Sequence, residues 1–195
     1  PADAVVSAQL WALSDAITPN ETEFCAQLRR QTGTELDPDT LAAAPLHDVI
    51  EDCVREAYSR EMLEQRIGDK FSGDVLSTVL AVTHRRVDDD GIEFSSDERR
   101  DDYLQRLEHA GESARWVCAA DKLHNASTIL ADLRRTIDPS SVWSRFNGGR
   151  EATVRWYRRV FDRLRQIGFR GEIMLELENV VTQLEEWSRS EIAAA

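Results

Sequence analysis

The stretch Pro45-Leu46-His47-Asp48-Val49-Ile50-Glu51-Asp52-Cys53 decides how the chain is read. An imidazole and three carboxylates stand there inside an apolar segment, with Ala42, Ala43, Ala44 and Leu46 before them and Val49 and Ile50 between them. Acidic side chains are seldom buried unless they are paired or hold a metal. Residues four apart on a helix share a face, which sets His47 over Glu51 and Asp48 over Asp52. The spacing predicts a helix with one acid-and-imidazole face backed by an aliphatic one.

A second cluster of the same character follows at Ala120-Asp121-Lys122-Leu123-His124-Asn125-Ala126-Ser127-Thr128. Asp121, Asn125 and Thr128 fall at i, i+4 and i+7, so they line one face of the longest helical run, 112–135. Two helices with acid-bearing inward faces suit a divalent cation held in a helical bundle. His124 is turned away from the Asp121 face and reads as a core histidine. His84 and His109 read as surface or interface residues.

The remaining periodicity is helical. Val6, Leu10, Leu13 and Ile17 predict a helix over 3–17, and Asn20 caps a second over 20–31 before a turn at Thr32-Gly33-Thr34. Asp37-Pro38 is a cap followed by a proline at the first helical position, so a third helix starts there, with Pro45 as its kink or break. Further helices are expected over 59–68, 74–85, 103–110 and 112–135, the last ended by Pro139. A turn-rich connection is expected over 141–150, then helices over 151–167, stopped by Gly168, and 172–189. Residues 86–102 lack periodicity and are expected to form a loop and lid. The run Asp88-Asp89-Asp90-Gly91 lacks EF-hand spacing and reads as a solvated charge cluster. Trp11, Trp116, Trp143 and Trp156 read as helix-packing residues. No stretch alternates as a strand would. The expected fold class is all-α, a single helical domain with its site-bearing core over 37–135 and C-terminal helices over 150–190.

Bulk composition narrows the function classes. There are 24 basic and 36 acidic residues, a net charge of 24 − 36 = −12. So acidic a surface repels nucleic acid and anionic membranes but leaves room for a small phosphorylated ligand in a locally basic pocket. Arg85, Arg86, Arg145 and Arg150 are candidates for phosphate contacts, with solvated surface arginines as the alternative. Cys25, Cys53 and Cys118 are far apart, without a C-x-x-C pair, and read as buried free thiols of a reducing compartment. No long apolar run and no signal peptide is present, so a soluble cytoplasmic protein is expected, with an oligomer left open.

His47-Asp48 with Glu51-Asp52, followed by Asp121-x-Leu-His-Asn-x-x-Thr, resembles the HD-domain metal-dependent phosphohydrolases. The likeness is greatest to the RelA/SpoT-type (p)ppGpp hydrolase domains and small stand-alone bacterial HD proteins. Val79 to Arg85 and Trp143-x-x-Phe146-Asn147 share in it, and it spans roughly residues 41–157. It implies a single HD domain, with His47, Asp48 and Asp121 as ligands of a divalent metal, typically Mn²⁺. Glu51 and Asp52 would orient and deprotonate the attacking water, as suits a nucleophile acidified by a metal. Lys122, standing where the family often has Arg, would face a small phosphorylated nucleotide together with Asn125 and Thr128. The implied activity is hydrolysis of a phosphoester or pyrophosphate bond, with a (p)ppGpp-like 3′-pyrophosphate first in line. A nucleoside-monophosphate phosphatase and a non-catalytic nucleotide- or partner-binding HD protein are the alternatives.

One element of the family pattern is missing. A further histidine ligand, usually before a proline that opens a helix, should precede the HD pair, and no histidine precedes His47. Pro1-Ala2-Asp3-Ala4-Val5-Val6 resembles the residues that follow that histidine. The expectation is that the ligand lies upstream of Pro1, with the 20–31 helix as an insertion.

Overall fold

The computed structural model describes residues 36–54 and 58–194. The helices expected over 3–17 and 20–31 and the turn at 32–34 lie outside the described residues. The fold is all-α. Among the described residues, β pairing with a named partner is limited to a single antiparallel bridge between Val87 and Glu93. The chain divides into two compact units, one ending at Cys118 and the other beginning at Ala119.

In the first unit Asp37 caps α1 (Pro38–Ala43), its carboxylate accepting the Thr40 N–H at 2.9 Å, with Pro38 at the first helical position. Of the kink or break expected at Pro45, the chain takes the break. Pro45 has no N–H to donate, and α1 gives way to a 3-10 turn, Ala44–Leu46, before α2 (Val49–Asp52) restarts with Asp48 at its N-cap. Ser59 caps α3 (Arg60–Lys70) and Ser72 caps α4 (Gly73–Val82). α4 ends three residues sooner than its pattern suggests, because Thr83 turns extended at φ −78°, ψ 131°. Next comes α5 (Ser96–His109).

Much of the expected 86–102 loop is therefore helix. Ser95 accepts the Glu98 N–H while Glu98 accepts the Ser95 N–H, a reciprocal capping box that starts α5 at Ser96. The acidic run is a tight turn. Asp88 Oδ1 accepts the N–H groups of Asp90 and Ile92, and Gly91 takes a positive φ of 80°.

α4 is the apolar centre of this unit, packing against α1, α3 and α5. Its buried Val75 and Val79 share the core with Leu46, Ile67, Tyr103 and Leu107, all at most 1% exposed. Side chains of this size contribute about 1.5–3 kcal/mol each when fully buried.

The division falls within α6 (Glu112–Arg135), whose bounds match the sequence pattern. In the second unit Pro139 does not close α6 but opens α7 (Pro139–Trp143), with Asp138 as its cap. α8 (Gly149–Gln166) and α9 (Glu172–Ala194) then pack along each other. Val160, Leu164, Ile173, Leu177, Val181 and Leu184 are fully buried, and Arg158 makes a two-pronged pair with Glu185 at 2.7 and 2.9 Å. Trp116 and Trp143 are buried, as expected of packing residues. Cys53 and Cys118 are free thiols. No described helix is long and apolar enough to cross a membrane.

Candidate metal and catalytic site

The break at Pro45 shapes the cluster in the first unit. It leaves His47 and Asp48 in a turn between two short helical pieces. His47 is buried, and its ring reaches back so that Nδ1 lies 2.6 Å from the Ala44 carbonyl oxygen. A carbonyl oxygen only accepts, so Nδ1 carries the proton and donates it. That leaves Nε2 as the nitrogen turned to the carboxylate, 3.0 Å from Asp48 Oδ2. Asp48 is half-exposed and makes no side-chain cap to α2, which leaves its carboxylate turned to the imidazole.

Glu51 and Asp52 part company. Glu51 Oε1 accepts the backbone N–H of His84 at 2.6 Å, tying α2 to the segment after α4. Asp52 is exposed at the end of α2. Partial burial of its carboxyl raises the Asp52 pKa above the ordinary carboxylate value; the charge of Asp48 adds to this and His47 opposes it. The His84 ring is half-buried and stacks on Tyr103, centroids 4.4 Å apart. His109 is exposed.

The second cluster lies on α6, in the second unit. Asp121 is buried, its Oδ1 accepting from Asn125 Nδ2 at 2.6 Å and its Oδ2 paired with the Lys122 ammonium. Thr128 is exposed and donates its hydroxyl to the His124 carbonyl at 3.0 Å, back onto its own helix. Tyr157 of α8 is buried; burial pushes its phenol up to about 12, with Lys122 opposing and Asp121 reinforcing. It stays a neutral hydroxyl across the neutral range.

Two of the four arginines singled out for phosphate contacts already have carboxylate partners. Arg85 pairs with Asp89 at 2.5 Å and Asp102 at 3.5 Å, and stands over the Phe94 ring. Arg145 pairs with Asp132 at 2.6 Å. Sequence reasoning missed Arg106 and Asp102, whose pairing at 2.8 Å was readable from their i, i+4 spacing. It also missed Tyr157, which looks like any apolar helix position.

These helices make an all-α fold. No protein-family model and no curated protein matches the sequence. Two solved structures share the fold. The crystal structure of lmo0812 from Listeria monocytogenes has a TM-score of 0.65 at 21% identity, covering 82% of this chain and 95% of that one. A metazoan ortholog of SpoT, described as hydrolysing ppGpp and playing a role in starvation responses, has a TM-score of 0.64 at 21% identity, covering 93% of this chain and 94% of its own. At that identity the likeness is one of fold.

Proposed function

We propose that the chain is a divalent-metal-dependent phosphohydrolase of a small nucleotide, with a (p)ppGpp-like 3′-pyrophosphate as the first substrate class. The observation that carries it is the state of His47. The Ala44 carbonyl takes the Nδ1 proton and fixes the ring, so that Nε2, 3.0 Å from a carboxylate oxygen, is the nitrogen that can ligate a cation. Fixing a ligand histidine through its other nitrogen is how proteins hold metals.

On the resemblance of both motifs, His47, Asp48 and Asp121 would hold the cation; each offers one ligand atom. One imidazole and two carboxylates suit Mn²⁺ and its neighbours better than a soft, thiolate-seeking metal. When bound, the cation supplies positive charge against the phosphoryl oxygens and acidifies water. Asp52, with its raised pKa, takes the proton of the attacking water, and Glu51, held by the His84 N–H, orients it. Lys122, Asn125 and Thr128 would face the nucleotide, with Arg85 and Arg145 meeting its phosphates. The ppGpp hydrolysis described for the metazoan SpoT ortholog supports this choice of substrate class.

The test is Mn²⁺-dependent release of phosphate or pyrophosphate across a nucleotide panel that includes nucleoside monophosphates. Turnover is expected to vanish with chelator and in Asp121→Ala. Turnover that survives both would overturn the mechanism, and cation binding without turnover of any nucleotide would instead identify a binding protein of this fold.

A further inference from the structure

We propose that Arg106, aimed by Asp102, is a positioning residue for Glu51 and acts through the turn after α4. The geometry stands by itself, and its kinetic consequence rests on the hydrolase function proposed above.

The last carbonyls of a helix have no partner within it. α4 has no glycine at its end to close them off; Thr83 simply turns extended. Were the helix to continue, the His84 N–H would bond the Leu80 carbonyl four residues back. That N–H is instead given to Glu51 Oε1 at 2.6 Å. The carbonyl it leaves is taken by Arg106, whose Nη1 donates to Leu80 O at 3.1 Å and Ala81 O at 3.2 Å, while Nη2 donates to Thr83 O at 2.7 Å. One guanidinium thus replaces the helical donors that α4 lost when the His84 N–H was turned toward Glu51.

The guanidinium is itself held in place. Its Nε donates to Asp102 Oδ2 at 2.8 Å, one turn back on α5, and the other Asp102 oxygen faces Arg85 at 3.5 Å. Between them in sequence, Tyr103 stacks on the His84 ring. Three residues of α5 therefore grip the 80–85 segment from which Glu51 is held. A cation at a helix C-terminus is also favoured by the helix dipole. Lysine cannot substitute, because a point charge does not span three carbonyls and a carboxylate in one plane.

The experiment compares Arg106→Lys, Glu51→Ala and the double variant in the full chain, with Arg158→Lys as a control that loses an ion pair of similar kind in the second unit. Two quantities are read: kcat and KM with Mn²⁺, and hydrogen exchange at the His84 amide. Arg106→Lys is expected to lower kcat by about 10–100-fold with little change in KM, as supporting contacts around a site usually do. In the Glu51→Ala background it is expected to add nothing. The His84 amide should exchange about ten-fold faster in Arg106→Lys, as in Glu51→Ala, and unchanged in Arg158→Lys. Losses that multiply in the double variant, or a His84 amide indifferent to Arg106→Lys, would overturn the proposal. Asp102→Asn, which keeps the guanidinium but leaves it unaimed, is read by the same criteria should Arg106→Lys fail to fold. If no nucleotide is turned over, the hydrolase function fails and the His84 amide alone decides the positioning.

Discussion

The 2.6 Å bond from His47 Nδ1 to the Ala44 carbonyl makes an ordinary imidazole into a fixed donor, because it settles which nitrogen is bare. Removing even a supporting contact around a metal costs about 10–100-fold in affinity, so removing a ligand outright in Asp121→Asn should weaken Mn²⁺ binding at least about 100-fold. Titration calorimetry of the folded variant reads this directly, and unaltered affinity would take Asp121 out of the ligand set. Lys122 offers the opposite experiment. Its ammonium sits on Asp121 Oδ2 and competes with a cation for that oxygen. Lys122→Gln, which removes that competitor, should therefore bind Mn²⁺ more tightly while losing nucleotide turnover. Weaker Mn²⁺ binding in Lys122→Gln would mean that the lysine organises Asp121 rather than competing for it.

The elements are held at their ends by devices with calculable cost. α8 closes in a Schellman arrangement: the Phe169 N–H meets Leu164 O at 3.0 Å, the Gly168 N–H meets Arg165 O at 3.2 Å, and Gly168 sits at φ 81°. A side chain there is strained by roughly 1–2 kcal/mol, so Gly168→Ala should lower stability by that amount in denaturant unfolding. At α1, burial alone would raise the Asp37 pKa, but the Thr40 hydroxyl and the N–H groups of Thr40 and Asp39 outweigh it and hold the pKa below its ordinary value. A carboxyl lower in the folded than the unfolded state stabilises above the unfolded value and loses that effect as pH falls through the folded one. Asp37→Ala should therefore cost about 1 kcal/mol near pH 7, with the difference closing below about pH 4; a gap that persists in acid would assign the effect to packing. These caps also explain what was legible. Asp37-Pro38, Gly168 and the periodicity of 112–135 are local signals, and all three held. Pro45 was readable as a break, but how His47 folds back onto Ala44 depends on a turn that no periodicity encodes. The start of α5 was missed because its first turns are polar on every side and only the Ser95–Glu98 box marks them. Pro139 was taken as a stop when, one residue after Asp138, it is a start. Glu51 and Asp52 look equivalent in sequence; only the His84 N–H, thirty-three residues away, separates them.

At the scale of the whole chain, an acidic protein proposed to act on an anion carries a tension that can be measured. Its net charge is −12, and two of the four arginines expected to meet phosphate are already partnered by aspartates. A field of that sign concentrates divalent cations near the surface and repels nucleotides, and salt screens both effects. The screening length falls from about 30 Å at 0.01 M to about 10 Å at 0.1 M ionic strength, so most of the change should fall between those two conditions. Mn²⁺ affinity should decrease across that range. With Mn²⁺ held saturating, kcat/KM for a pyrophosphorylated nucleotide should increase, because association is relieved of repulsion. The two trends have opposite signs because cation and nucleotide carry opposite charges in the same field. A kcat/KM that falls with salt would mean that basic side chains around the nucleotide locally reverse the field of the molecule. In that case Asp89→Asn, which leaves Arg85 with Asp102 alone, and Asp132→Asn, which removes the aspartate paired with Arg145, should steepen the fall.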